Sequence, residues 1–220
     1  MIELHQLKGH KDCTACERHA ECPRNPGVPT ERWGLPPSPS VPVLVVVGPC
    51  STYTDHILWS PFYGKTGDVL RNILLDELAT LCTIYGTALV RCHSATPPKS
   101  RHYKSCRPHH EDDVRHILGE HPCSDVRFLL LGSDAVAQFH RTWTGKPRSF
   151  RDALASNGRP LQIATRQCAV FSTYYPGAVL RNNSLIHSVE DHIELLVNTI
   201  RGHAPVPTEP VILPVRGPRS

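Results

Sequence analysis

Residues 41–48 read VPVLVVVG, a continuous apolar and largely β-branched run that ends on glycine. Strict apolar–polar alternation would mark a strand with one wet face. A run without alternation marks a strand buried on both faces, as in a parallel sheet covered by helices. Outward from this stretch, TALVRC (87–92), VRFLLLG (126–132) and QCAVFSTYYP (167–176) read as three further strands. The segments between them carry helical patterns. KTGDVLRNILLDELATL (65–81) places apolar residues at 69, 70, 73, 74, 78 and 81, a helical stripe. HHEDDVRHILGE (109–120) opens with acids, as a helix dipole favours. SDAVAQFHRTW (133–143) has Ser133 as a cap, and SVEDHIELLVNTIRG (188–202) runs from a Ser188 cap to a Gly202 stop. The expectation is an α/β fold: a three-layer α/β/α sandwich with a central four-stranded parallel sheet. Ligands of such sheets bind beyond the carboxyl ends of the strands. Loops 48–64, 92–108, 132–150 and 174–187 are therefore where chemistry is expected.

The chain of 220 residues is long enough to bury a real core in one domain, and 40% hydrophobic with 20% charged residues is a globular balance. A formal charge of +4, with 14 histidines besides, permits a nucleic-acid partner without requiring one. Prolines gather in a connector over 23–42 and in the tail GHAPVPTEPVILPVRGPRS, which cannot be helical. The expected organisation is a domain over 1–203 followed by a disordered tail over 204–220. The start, MIELHQLKGHKDC, lacks an apolar signal core, and VLVVV (43–47) is far too short to span a bilayer. A cytoplasmic monomer without a membrane partner is expected, its nine cysteines thiols or metal ligands rather than disulfides.

Cys13 and Cys16 form a C-x2-C pair, Cys92 ends the second strand, and Cys106 follows at the end of a basic loop holding Lys99, Arg101, Lys104 and Arg107. Four thiolates suit zinc or a 4Fe-4S cluster, and spacing alone leaves the two open. Cys82, Cys123 and Cys168 read as small buried hydrophobes or incidental thiols. HRTWTGKPRSFR (140–151) holds Arg141, Lys146, Arg148 and Arg151 with Trp143 and Phe150 interleaved, either a phosphate-binding loop or a solvated basic surface.

Several segments together resemble the uracil-DNA glycosylase superfamily, most closely its iron–sulfur family-four type. CTAC near the N-terminus is similar to that family's first cysteine pair, and SPFYGKTGDVLRNIL to its GRPFVGRAGQLL stretch. ALVRC with SCRP resembles its third and fourth cluster cysteines, the former ending a strand that normally reads TNVVKC. LLLGSDAV resembles its strand–helix step, and TYYPGAVLRN its DNA-intercalating TYHPAALLRN. The segments lie in the family's order over about residues 11–200. The resemblance implies an α/β/α fold, a 4Fe-4S cluster on Cys13, Cys16, Cys92 and Cys106, and DNA as partner with a flipped base. It implies that Phe62 stacks on the base, against plain core packing, and that Leu180 and Arg181 form the wedge that holds the duplex open.

Three positions depart from the family, and all lie at the chemistry. Pro49 stands where a glutamate would activate water, Ala88 where an asparagine would bond the uracil edge, and Tyr175 where a histidine would stabilise the departing base. A general base supplies about 10²–10⁴-fold in rate, so its loss need not abolish activity. Loss of the amide removes roughly 10⁴–10⁵ of discrimination, which argues against plain uracil. Ala88 and Ser51, with Thr52, leave volume for a bulkier base. Asp55 is the nearest carboxylate to orient water, or else a loop cap; His56 beside it is a further acid–base candidate. Cys50 reads as a small buried residue rather than a nucleophile. The function expected is excision of a modified, bulky 5-substituted pyrimidine from DNA, in antiviral defence. Alternatives are a catalytically inactive DNA-binding module of the same fold and a uracil-DNA glycosylase with relocated residues.

Overall fold

The structure, a computed structural model, describes residues 13–22, 27–71 and 75–202. The proline-rich tail lies outside the described residues. After a short 3-10 turn over Glu17–Glu21 come β1 (Glu31–Gly34), β2 (Val43–Cys50), α1 (Tyr53–Leu58), α2 (Gly64–Val69) and α3 (Asp76–Ala79). Then follow β3 (Thr83–Val90), α4 (Ser100–Glu120), β4 (Val126–Leu131), α5 (Gly132–Thr144) and α6 (Phe150–Leu154). The chain ends with β5 (Arg159–Ile163), β6 (Arg166–Thr173), α7 (Pro176–Arg181) and α8 (Ile186–Ile200).

The class is α/β, but the sheet is six-stranded and mixed, in the order β1-β3-β2-β4-β6-β5. The four expected strands are its inner members and run parallel, while β1 and β5 add antiparallel edges. This corrects the four-stranded parallel sheet. Both edges escape a reading by apolar runs because each is short and mixed in composition. Within β5, Pro160 pairs with Ala169, a proline that an edge strand tolerates because one of its sides forms no ladder.

Side-chain alternation on β2 divides the core into two layers. Val43, Val45 and Val47 pack with Val114 and Ile117 of α4 and Val136 and Phe139 of α5. Leu44 and Val46 pack with Leu70, Leu75 and Leu78 and with Val189 and Leu196 of α8. Because β3 and β4 lie on opposite sides of β2, the order of the parallel strands reverses there. The carboxyl ends of β2 and β4 thus flank the crevice where doubly wound sheets bind ligands.

Three further expectations change. The single helix over 65–81 is replaced by α2 and α3. The basic loop over 92–108 is helical from Ser100, and Pro108 sits exposed within α4. Its start is held by His102, whose Nδ1 accepts the Lys99 N–H at 2.9 Å. The loop over 132–150 is mostly α5. Among the described residues no helix is long and apolar enough to cross a membrane.

Burial holds three histidines neutral, pulling His110 down to about 3 and His140 and His192 to about 4. The unfolded chain takes those protons near pH 6.5. Their contribution to stability is therefore complete above that pH and drains as pH falls towards 4. Glu31 and Asp55, whose carboxyls burial pulls up, act in the opposite direction but are fewer. Thermal unfolding is expected to show a falling midpoint from pH 7 to pH 4.5, with net proton uptake. A midpoint that is flat or rises over that range would contradict this assignment.

Candidate functional site

The loop after β2 is built around Phe62, which adopts a left-handed backbone with φ of +60°. Non-glycine residues rarely do so, and the conformation costs on the order of 1–3 kcal/mol unless its surroundings impose it. Here Arg71 imposes it. Its Nε donates to the Phe62 carbonyl at 3.1 Å and its Nη2 to the Pro61 carbonyl at 3.0 Å. The same guanidinium lies between the rings of Trp33 and Tyr63, 4.5 and 4.4 Å from their centroids, and pairs with buried Glu31 at 3.2 Å. Ser60 donates to the same Glu31 oxygen. The other oxygen, Oε1, has no partner, and burial pulls the carboxyl up against the opposing charge of Arg71.

So held, the Phe62 ring lies over two glycines of neighbouring strands, Gly48 near the carboxyl end of β2 and Gly86 in the middle of β3. A Cβ on Gly48 would come within 2.9 Å of the ring, and one on Gly86 would meet it at the same distance and Trp33 at 2.5 Å. Ala88 pairs with Gly48 across the ladder on this side of the sheet. Ser51 follows β2; its Oγ is buried without a hydrogen-bond partner.

Asp55 has a local task. It closes a capping box at the start of α1: its Oδ2 accepts the Thr52 N–H at 2.7 Å, and Thr52 Oγ1 accepts the Asp55 N–H at 3.2 Å. Its Oδ1 accepts the Tyr63 N–H, also at 2.7 Å, which ties α1 to the Phe62 loop. Burial pulls its carboxyl up; these backbone bonds oppose the shift. Tyr175 approaches from the end of β6. A Cβ on Gly132, which has φ of +85° just past β4, would come within 3.0 Å of the Tyr175 Cβ. Burial, then the neighbouring Cys50 and Asp55, push the Tyr175 phenol up, so it stays protonated. Cys50 is likewise pushed up by burial, which disfavours a thiolate nucleophile.

Phe62, Ala88, Asp55 and Ser51 are 7, 5, 3 and 3% exposed, and Tyr175 alone of the group is half-buried. The roomy pocket expected beside Ala88 is therefore not open to solvent in this state. On the rim, Leu180 and Arg181 lie on α7 rather than in a loop, and both are exposed. Lys146 is exposed, whereas Arg148 is half-buried and donates to the Asp152 carbonyl at 3.3 Å. Trp143 and Phe150 are not interleaved surface aromatics. Trp143 packs edge-on against His110, and Phe150 against Tyr174. Tyr53, Ile57 and Leu58 on α1 are exposed like Leu180, and an apolar-run reading had no reason to single them out.

The four cysteines of the expected metal centre come from the N-terminal segment, the end of β3 and the middle of α4. The Cys16 thiol accepts the Arg18 backbone N–H and senses Cys13 and Cys92. Cys92 Sγ accepts the Gly27 N–H at 3.3 Å. The Cys106 thiol accepts the Arg91 backbone N–H and senses Cys92 and Cys16. Cys13 Sγ lies 3.3 Å from His109 Nε2. Each thiol thus has an N–H donor or an imidazole beside it, as a thiolate needs. Burial first, and the neighbouring Cys92 and Cys16 after it, push the Cys106 thiol up to about 11. Among the described residues, no three Cys, His, Asp or Glu side chains stand in a closed metal-ligand arrangement. Four thiols have the donor chemistry that a thiophilic metal group takes, but the described residues do not gather them into a ligand set. A fifth thiol, Cys22, is hydrogen-bonded to Cys92 and donates to the His93 carbonyl at 3.1 Å. Glu17 clasps the segment to α4 by bonding His102 at 2.9 Å and Arg101, and these bonds, that of His102 first, hold its carboxyl down to about 2.

Compared with known proteins, the chain matches no protein-family model and no curated protein. What the site can do must be read from its own residues.

Arg71→Met removes the clamp on Phe62 and leaves Glu31 buried without its counter-charge. A loss of about 3 kcal/mol is expected. The Glu31→Gln/Arg71→Met double variant should be more stable than Arg71→Met alone, with a coupling of roughly 1–3 kcal/mol. Urea unfolding of the wild type, of Glu31→Gln and Arg71→Met singly, and of the double variant measures it; additive losses would show that the pair is not coupled.

Proposed function

We propose that the chain is a DNA N-glycosylase that extrudes a modified pyrimidine and hydrolyses its bond to the sugar. The substrate class is a pyrimidine with a bulky 5-substituent, such as the hydroxymethylated or glucosylated bases of phage DNA, and excision would serve antiviral defence. The observation that supports this reading is Phe62, an aromatic ring clamped in a strained backbone over the β2–β3 pair, beside the carboxyl end of β2. Strain of this kind gathers at sites that must be preorganised. A flipped base needs such a stacking platform.

In this reading the base lies against Phe62, beside Ala88, with the unpartnered Ser51 hydroxyl available to a polar edge. Leu180 fills the gap left in the duplex, Arg181 reaches the backbone, and Lys146 and Arg148 contact phosphates. Asp55 orients water through the lone pairs that its two backbone bonds leave free. The water oxygen bonds to the sugar carbon as the carbon–nitrogen bond breaks, the water proton passes to the Asp55 carboxylate, and the departing base anion takes up a proton on release. The electron pair leaves with the base, and the protonated Tyr175 phenol donates a hydrogen bond to the departing group. Because the described walls are closed, Tyr175 and α7 must shift for the base to enter. Cys13, Cys16, Cys92 and Cys106 would hold a 4Fe-4S cluster, with zinc as the alternative, and such a group would supply a structural cross-link.

A second reading, a non-catalytic DNA-binding module, is favoured by one feature. Both Asp55 oxygens already serve backbone N–H groups, and Pro49 occupies the water-activating position.

The test is incubation with DNA containing glucosylated hydroxymethyl-pyrimidines, with plain DNA and with uracil-containing DNA, followed by mass spectrometry of released bases. Release from the modified DNA alone is expected, slowed by about 10²-fold or more in Asp55→Asn. Binding without release would establish the module instead, and release of uracil would establish a uracil enzyme with relocated residues.

A further inference from the structure

We propose that the cavity between α5, α6 and the β5 edge is an oxyanion site that takes an oxygen of a phosphate group, from a DNA backbone or from free phosphate. The DNA source rests on the glycosylase reading; the cavity itself does not. It measures about 20 Å³, and His140, Arg148, Ser156, Arg159 and Ser172 are among the residues that line it. That is room for roughly one or two water-sized atoms, enough for a phosphate oxygen and too little for a base or a sugar. Separate elements converge on it: His140 from α5, Arg148 from the turn into α6, Arg159 as the first residue of β5, and Ser172 near the end of β6.

The charge here is one-sided. Two guanidiniums line the cavity, and among the described residues no Asp or Glu does. Arg159 is half-buried, and its Nε is buried without a hydrogen-bond partner. Arg148 spends Nη2 on the Asp152 carbonyl at 3.3 Å. Asp152 is the acid beside the turn, but it is exposed, and its carboxylate takes the Ser149 hydroxyl at 2.6 Å. His140 is 5% exposed; burial first, and then the charge of Arg148, keep its ring neutral, so it retains one N–H to donate. The Ser156 hydroxyl is engaged by the Asp152 and Ala153 carbonyls, which leaves recognition to the cationic groups. Guanidinium edges without a counter-ion are costly to bury, and an oxyanion offsets that cost through charge-assisted bonds.

Position favours a phosphate that belongs to a longer ligand. Ser172 lies three residues before Tyr175, and Phe150, two residues after Arg148, packs edge-on against Tyr174 at 5.2 Å. Phe171, on the alternate face of β6, packs in the same layer as Phe62. The cavity and Phe62 therefore lie on opposite faces of one sheet, and a DNA strand crossing the carboxyl end of β6 passes between them.

Two measurements on the full chain test this. In the first, the thermal midpoint is followed as sodium phosphate replaces sodium chloride at constant ionic strength. The wild type is expected to gain in midpoint, and Arg159→Gln to need about tenfold more phosphate for the same gain. In the second, binding of a plain duplex is measured by fluorescence anisotropy over a salt series. Arg159→Gln is expected to bind more weakly and to lower the slope of log affinity against log salt by about 1. Arg115→Gln, which removes an exposed charge on α4, is expected to leave that slope unchanged. A changed slope assigns the site to the DNA backbone; loss of phosphate affinity with an unchanged slope assigns it to free phosphate. A midpoint indifferent to phosphate together with an unchanged slope overturns the proposal, as does an equal effect of Arg115→Gln. A wild type that binds no DNA overturns the glycosylase reading, while the phosphate titration still decides the cavity. If Arg159→Gln does not accumulate, Arg148→Gln carries the same expectations.

Discussion

The site depends on holding one aromatic residue in a backbone conformation that it would not choose. Phe62 at φ +60° is possible because Arg71 binds the two carbonyls of its turn, Asp55 binds the amide that follows, and Trp33, Tyr63 and Glu31 hold Arg71. Neighbouring glycines follow from the same constraint. A Cβ on Gly67 would lie 1.9 Å from the Phe62 carbonyl oxygen, and those on Gly48 and Gly86 would strike the ring. Edge strand β1, which supplies Glu31 and Trp33, extends the sheet and also completes the clamp. Sheet edge, loop and helix start are thus one cooperative unit, and loosening any part should loosen the ring.

The N-terminal segment is anchored by a different force. Polar contacts tie its described residues to the domain: Glu17 to His102 and Arg101, Arg18 to the Thr96 carbonyl, Cys22 to the His93 carbonyl, and the Gly27 N–H to Cys92.

The inner strands were legible because burial on both faces leaves continuous apolar runs, as in 43–47 and 126–131. Phe62 and the set Cys13, Cys16, Cys92 and Cys106 entered through the resemblance, not through the apolar pattern. The edges were not, because Glu31–Gly34 and Arg159–Ile163 carry charges and a proline and owe their pairing to neighbours distant in sequence. Nor could the pattern reveal that Arg71, on an apparently ordinary amphipathic stripe, reaches back nine residues to bind Phe62. Asp55 was recognised as a carboxylate near the chemistry. Its capping box, however, depends on the start of α1, a six-residue helix too short for its period to declare itself. Trp143 misled because aromatics among basic residues resemble a nucleic-acid surface, while its partner His110 lies on another helix.

The central claim is that the crevice beside Phe62 receives a base taken out of a DNA duplex. Fluorescence of 2-aminopurine placed next to a glucosylated hydroxymethyl-pyrimidine reports unstacking directly, whether or not the bond to the sugar is then cut. The account predicts that fluorescence rises as wild-type protein saturates the duplex, and that Phe62→Ala binds with a smaller rise. A duplex that is fully bound while its fluorescence stays unchanged would contradict it.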